Sequence, residues 1–181
     1  MNKSMIIGFI SIIFASVLLS SCDLLDLTPK AAVTVKTYFK NESELELYAN
    51  RFYSDILPGG NGIYKEIGDN MIWIPLASEV SLTRTVPEKG GGWSFEALRH
   101  INFLLENIGN CPDAAAVRKY TGVAKFFRAH YYFNMVKRFG DVPWLDHVPG
   151  TDDPALYKAR DSRDFVMEKV IEDIDEAIRL F

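Results

Sequence analysis

The chain has 181 residues, of which 48% are hydrophobic and 24% charged, and its formal net charge is −4. This composition is that of a globular protein with room for one ordinary domain, and it excludes a disordered tail and a polytopic membrane protein. The slight acidic excess argues against a nucleic-acid binder, which usually has a strong basic excess, and two cysteines cannot build a disulfide scaffold or a four-ligand zinc site.

The N-terminus has the pattern of an export signal. Lys3 precedes an apolar run from Met5 to Leu19, which is shorter than the ~20 residues of a membrane-spanning helix. A basic start, a short apolar run and small residues predict a signal peptide over residues 1–21. The sequence Leu19-Ser20-Ser21-Cys22 resembles a bacterial lipoprotein signal, so Cys22 is predicted to be lipidated; an ordinary signal peptide with a chance cysteine is the alternative. Residues 22–36 lack helical periodicity and are predicted to be a tether.

Apolar periodicity predicts four helices within a domain at residues 37–181. The predicted helices run from Glu42 to Leu57, from Trp93 to Gly109, from Ala114 to Phe139 and from Asp161 to Phe181. Asn41 or Ser43 is predicted to cap the first helix, and Asp161 or Ser162 the last. The third helix is apolar on most of its circumference and must be covered on two or more sides. The fold class is therefore all-α.

Charge is distributed unevenly between the last two helices. Every charged residue between Ala114 and Gly140 is basic, whereas the segment from Asp161 to Phe181 is mainly acidic. We interpret the basic positions as partners of acidic neighbours, including the last helix. The alternative is a face for an anionic ligand or nucleic acid.

No catalytic, metal or cofactor site is predicted. The histidines show no metal-ligand spacing relative to each other or to Cys111; they are His100, His130 and His147. We expect His130 to pack in the core, and Cys111 likewise to be a packing residue. The carboxylate pairs Asp152-Asp153 and Asp173-Asp175 are predicted to be exposed, without the raised pKa that a glycosidase acid needs.

Two stretches of the sequence resemble the SusD/RagB family, which consists of surface lipoproteins of Bacteroidetes. They are residues Gly122 to Phe133 (GVAKFFRAHYYF) and the following Phe139-Gly140-Asp141-Val142-Pro143. Val123 and Lys125 replace the usual Glu and Arg, and Trp144 stands where a small aliphatic residue is typical. Further matching pieces stand in the expected order: the site around Cys22, Leu25-Asp26-Leu27-Thr28-Pro29, Arg51-Phe52-Tyr53, Gly68-Asp69-Asn70, Trp93 with Ile101-Asn102, Arg160-Asp161-Ser162, and Val170-Ile171 with Asp173-Ile174 and Ala177.

The resemblance implies tetratricopeptide-like helical repeats, anchored by lipid at Cys22 on the outer face of the outer membrane. It also implies a binding protein without enzymatic activity that captures oligosaccharides or other nutrients for a SusC-like TonB-dependent transporter. Because family members are several hundred residues long, we expect residues 37–181 to be an incomplete N-terminal domain. Two alternatives stay open, a helical-repeat scaffold that binds only protein and a non-functional truncated remnant.

The irregular segment 63–92 carries the candidate ligand-binding residues. Sugar binding needs an aromatic face for the C–H surface of the ring and planar polar groups for its hydroxyls. Trp73 and Tyr64 offer the aromatic surface, and Asp69 and Asn70 offer the polar groups. The alternative is that Trp73 packs this segment onto the helices. Trp93 resembles the structural tryptophan of the family and is expected to pack in the core.

The Trp73→Ala substitution tests this hypothesis. We expect the variant to stay folded and to lose retention on a glycan column, because the stacking face for the sugar is gone. Unchanged retention would refute the assignment of Trp73.

Overall fold

The computed structural model describes residues 38–59, 74–76, 78, 80–88 and 90–181. These ranges contain four α-helices: α1 (Glu42–Ile56), α2 (Glu96–Asn107), α3 (Ala114–Phe139) and α4 (Arg163–Leu180). The predicted all-α fold is confirmed. The described ranges contain no strand, only an isolated antiparallel bridge between Val142 and Asp161, and no helix in them is long and apolar enough to cross a membrane.

Side-chain caps begin three of the helices. The Asn41 side chain accepts a hydrogen bond from the Glu44 N–H, and Asp113 accepts from the first amides of α3. Ser162, one of the two predicted caps, accepts from the Phe165 N–H at the start of α4. These oxygens satisfy amides that have no partner within the helix. At its other end α3 stops at Gly140, whose φ of 70° favours glycine.

Helix α2 begins three residues later than its apolar pattern predicts. A turn occupies the missing positions, because the Trp93 N–H donates to the Gly90 carbonyl (2.8 Å) and the Ser94 N–H donates to the Gly92 carbonyl (3.1 Å). The helix ends at Asn107 and continues as a 3-10 turn over Ile108–Asn110. Trp93 therefore lies on an irregular segment that enters α2 rather than on the helix.

The described core has two clusters of buried side chains, and α3 contributes to both. One cluster joins α1, α2 and the first half of α3 through Leu45, Phe52, Ile101, Leu104 and Phe127. Cys111, 5% exposed, belongs to this cluster, which confirms its packing role. The other cluster joins the start of α2, the second half of α3, the following loop and α4 through Leu98, Tyr132, Trp144, Val166 and Val170. The prediction that α3 must be covered on several sides is thus confirmed.

A buried ion pair joins α3 to α4. The guanidinium of Arg128 donates to the Asp173 carboxylate through Nε (2.6 Å) and Nη2 (2.8 Å), and both side chains are almost fully buried. Lys125 Nζ lies 3.1 Å from Asp173 Oδ1 and 2.8 Å from Glu176 Oε2. These contacts confirm the predicted pairing with the last helix for Arg128 and Lys125, whereas Arg118, Lys137 and Arg138 form no ion pair within the described ranges. Lys119, earlier on α3, also pairs with Glu42 of α1 (3.0 Å).

Two sequence predictions about exposure were wrong. Asp173 is 4% exposed, because it lies on the α4 face that also buries Val170 and Ala177. His130 is only partly buried and forms a hydrogen bond with Asn134 on the exposed side of α3 (3.0 Å). The apolar face of α4 is covered at Val166, Val170 and Ala177, whereas Ile178 is 68% exposed and Phe181, one residue beyond the helix, is 70% exposed.

Asp173→Ala should destabilise the fold strongly, by about 3–5 kcal/mol, because it leaves the buried Arg128 guanidinium without its counter-charge. The matched control is Asp175→Ala, two residues along α4 at an exposed position, for which we expect a change within about 0.5 kcal/mol. Chemical denaturation followed by circular dichroism measures both free energies of unfolding. Equal losses in the two variants would contradict this account of the pair.

Candidate functional site

A groove of about 660 Å³ lies between the start of α2 and the segment 143–160, which is irregular apart from a 3-10 turn over Pro154–Tyr157. Its volume is within the range of ~300–1,000 Å³ that is usual for small-molecule sites. Apolar side chains provide part of its lining, among them Trp93, Phe95, Leu98, Pro143, Leu145 and Leu156. Polar and charged side chains complete it: Glu96, Arg99, Asn102, His147, Lys158 and Arg160.

Asn102 of α2 holds one wall of this groove. Its side-chain amide donates to the carbonyl oxygens of Leu145 (2.9 Å) and His147 (3.1 Å). Its Oδ1 accepts a hydrogen bond from Nη1 of Arg128 (3.3 Å). The buried ion pair of α3 and α4 is therefore continuous, through one amide side chain, with the groove wall.

Tyr132 holds the same wall from α3. Its hydroxyl accepts from the Leu145 N–H (2.6 Å) and donates towards the carbonyls of Pro143 (3.2 Å) and Leu145 (3.3 Å). Its ring stacks on Trp144 with the centroids 4.4 Å apart. Burial is the main cause that raises the pKa of the Tyr132 hydroxyl, so it stays protonated and can donate. Trp144, a departure from the family pattern, is thus accommodated as a core residue.

Polar side chains along one face of α2 also hold the backbone of the groove segment that follows Leu145. Glu106 accepts from the Val148 N–H (2.6 Å), and Arg99 Nη1 lies 3.5 Å from the Pro149 carbonyl oxygen. Residues 99, 102 and 106 are three or four positions apart and therefore share one helix face. Together they fix the backbone of the segment from Leu145 to Pro149.

Trp93 has both a packing and a lining role. Its ring contacts Phe139 and Phe95 edge-on, at centroid distances of 4.9 Å and 5.4 Å. The guanidinium of Arg160 lies over the ring, 4.7 Å from its centroid. Trp93 remains partly exposed and lines the groove. The expected core role is therefore only part of its contribution.

The charged groups of the groove differ in whether they are paired. Lys158 Nζ lies 2.7 Å from Asp161 Oδ2. Within the described ranges, Arg99 and Arg160 form no ion pair with a carboxylate. Glu96 is the carboxylate residue in the lining. The groove thus presents two guanidinium groups whose charge has no close carboxylate partner among the residues that the structure describes.

His147 lies between two carboxylates on the groove segment. Its Nδ1 is 3.1 Å from Asp146 Oδ1 and its Nε2 is 2.9 Å from Asp153 Oδ2. Hydrogen bonds to Asp146 and then Asp153 raise the pKa of His147. The bond with His147 lowers the pKa of Asp146, while the Ala155 backbone N–H, followed by His147, lowers that of Asp153.

The residues predicted from the sequence as functional lie outside the described residues. These are Cys22, Tyr64, Asp69, Asn70 and Trp73, and their roles stay predictions.

The groove itself was not predicted from the sequence. The available signal was the spacing of Arg99, Asn102 and Glu106 on one face of α2. Within the described part of the chain, no group of three or more His, Cys, Asp or Glu residues is arranged to hold a metal ion.

Comparison with known proteins identifies the family. A family model described as SusD-like, "Starch-binding associating with outer membrane", matches residues 85–181, more than half of the chain. The chain therefore belongs to the SusD-like family. A solved SusD-like protein from Bacteroides fragilis aligns with a TM-score of 0.55 and 22% identity, over 80% of this chain and 30% of that one. That similarity supports the fold, and this chain spans under a third of that protein. No curated protein sequence matches.

The pairing of His147 predicts a pH-dependent stability. A raised pKa in the folded state means that the stabilisation is fully present below pH 6.5 and is lost as the pH rises through that raised pKa. His147→Gln should therefore be less stable than the native chain near pH 6, by under about 1 kcal/mol because the site is exposed. At pH 9 the difference should vanish. Urea unfolding at both pH values measures it, and a pH-independent difference would contradict the ion pairing.

Proposed function

We propose that this chain is a lipid-anchored component of the outer membrane that binds glycans and delivers them to a SusC-like TonB-dependent transporter. The observation that carries the proposal is the family match over residues 85–181, whose description combines starch binding with outer-membrane association. The helical fold supports it, because the solved SusD-like relative shares the fold. Enzymatic chemistry is not part of this function.

The groove beside α2 supports a binding role. An oligosaccharide presents both C–H surfaces and hydroxyl groups, so its site combines apolar or aromatic surface with a few polar groups. Trp93, Phe95 and Leu156 supply the first, and Glu96 and Arg99 supply the second. Trp73, Tyr64, Asp69 and Asn70 are proposed as a further contact region.

The anchor is proposed at Cys22, after cleavage of residues 1–21. Acyl chains on this cysteine would hold the domain at the outward face of the outer membrane, since each buried methylene contributes about 0.8 kcal/mol. The tether over residues 22–36 would let the helical domain reach a transporter in the same membrane.

A second candidate function is a scaffold that binds only protein. It is favoured by apolar side chains that α4 leaves exposed, namely Ile171 (58%), Ile178 (68%) and Phe181 (70%). Such a row is typical of a surface that packs against another polypeptide. Binding of glycan by the purified chain distinguishes the first function from this one.

Affinity purification tests the proposal in the native bacterium. A tag near the C-terminus, extraction in mild detergent and mass spectrometry should recover a large barrel transporter in near-equal amount. Cys22→Ser should abolish lipidation and release the chain from the membrane fraction, whereas the matched control Cys111→Ala should keep the anchor.

The purified chain should also bind starch or another glycan on a column. Recovery of the chain without a transporter and without glycan binding would contradict the proposal. A polypeptide partner recovered without glycan binding would favour the scaffold.

A further inference from the structure

We propose that the groove beside α2 is a subsite for acidic sugars, in which Arg160 and Arg99 bind an anionic substituent on the sugar ring. This inference rests on the proposed glycan-binding function and adds the class of glycan. The anionic group is a uronate carboxylate or a sulfate ester, which share the same recognition chemistry.

The charge balance of the groove is the first argument. Arg99, Lys158 and Arg160 line it, against one carboxylate, that of Glu96. Lys158 is engaged with Asp161 at 2.7 Å. The two arginines have no such partner within the described ranges. A guanidinium is charged at all physiological pH values, so an anionic ligand would supply the counter-charge that these two groups lack.

The position of Arg160 is the second argument. Its guanidinium lies over the ring of Trp93, 4.7 Å from the ring centroid. A guanidinium has five N–H donors, and the contact with the ring leaves donors for a carboxylate or sulfate. The aromatic ring also restricts the side chain, so less conformational entropy is lost when it binds. Arg160 can therefore offer a bidentate contact to such an anion.

The second arginine is held on the same groove by its helix. Arg99 lies on α2, and its Nη1 reaches the Pro149 carbonyl oxygen on the opposite segment at 3.5 Å, a long contact that leaves other N–H donors of the guanidinium for a ligand. Leu156, which is 48% exposed, provides apolar surface in the same groove. A sugar ring can therefore place its C–H surface on this lining and its anionic group at the arginines.

Titration calorimetry with matched ligands tests the proposal. Tetragalacturonate, its fully methyl-esterified form and a sulfated disaccharide are added to the purified chain. The free acid should bind at least about tenfold more tightly than the neutral ester, because a charged hydrogen bond contributes more than a neutral one. Its affinity should fall as salt is raised. If the sulfated disaccharide alone is preferred, the anionic site is supported with sulfate as the substituent.

Three substitutions in the groove and one control outside it connect binding to the groove. Arg160→Gln and Arg99→Gln should each weaken binding of the acidic ligand by about tenfold. The control is Arg179→Gln, at an exposed position near the end of α4 and outside the groove, which should leave the affinity unchanged. Glu96→Gln should tighten binding severalfold, because it removes a repulsive carboxylate, and a folding defect cannot produce such a gain.

The outcomes separate this inference from the proposed function. Equal binding of the acid and its methyl ester, or full binding by Arg160→Gln and Arg99→Gln, overturns the acidic subsite and leaves glycan binding intact. Absence of binding by these glycans and by starch overturns both. Binding of acidic peptides in preference to all sugars also overturns the inference, because the anion would then belong to a different class of ligand.

Discussion

The described structure depends on the buried ion pair between Arg128 and Asp173. Two hydrogen bonds, of 2.6 Å and 2.8 Å, join α3 to α4 within the protein interior. A third donor of Arg128 reaches Asn102 of α2. Burying such charges is costly, and apolar residues of similar volume are often equally stabilising. The pair specifies how three helices align, since another register would leave a charge buried without a partner.

The alignment of α2, α3 and α4 also determines the position of one wall of the groove. Asn102 can hold the carbonyls of Leu145 and His147 only when α2 is placed correctly against α3. Tyr132 then satisfies the neighbouring amide, and Glu106 and Arg99 bind the segment further along. An irregular segment is thus given a defined backbone by side chains from helices. Because this groove wall is already fixed, less conformational entropy is lost when a ligand binds to it.

Sequence patterns predicted the helices well and the groove not at all. Apolar periodicity and capping residues are local properties, so the bounds of α3 and the Ser162 cap could be predicted from neighbouring positions. The burial of Asp173 was not predicted, although Asp173 lies on the same face of α4 as Val170 and Ala177, because a buried carboxylate needs a cationic partner and Arg128 is 45 residues away in the sequence. The groove wall depends on backbone carbonyls, whose positions leave no signal in the residue types, so the spacing of Arg99, Asn102 and Glu106 on α2 did not by itself reveal what these side chains contact. Trp93 was predicted only in part. Its packing was expected from the sequence, but its place in the groove lining depends on how residues 143–160 fold against it.

The chain belongs to the SusD-like family, and the groove beside α2 is its proposed ligand site. The most direct measurement is the nuclear magnetic resonance spectrum of the tryptophan indole N–H groups, of which the chain has three. A glycan that binds in the groove should shift the signal of Trp93 and leave that of Trp144, buried against Tyr132, nearly in place. Binding of the glycan with no change at Trp93 would contradict the assignment of the groove as the ligand site.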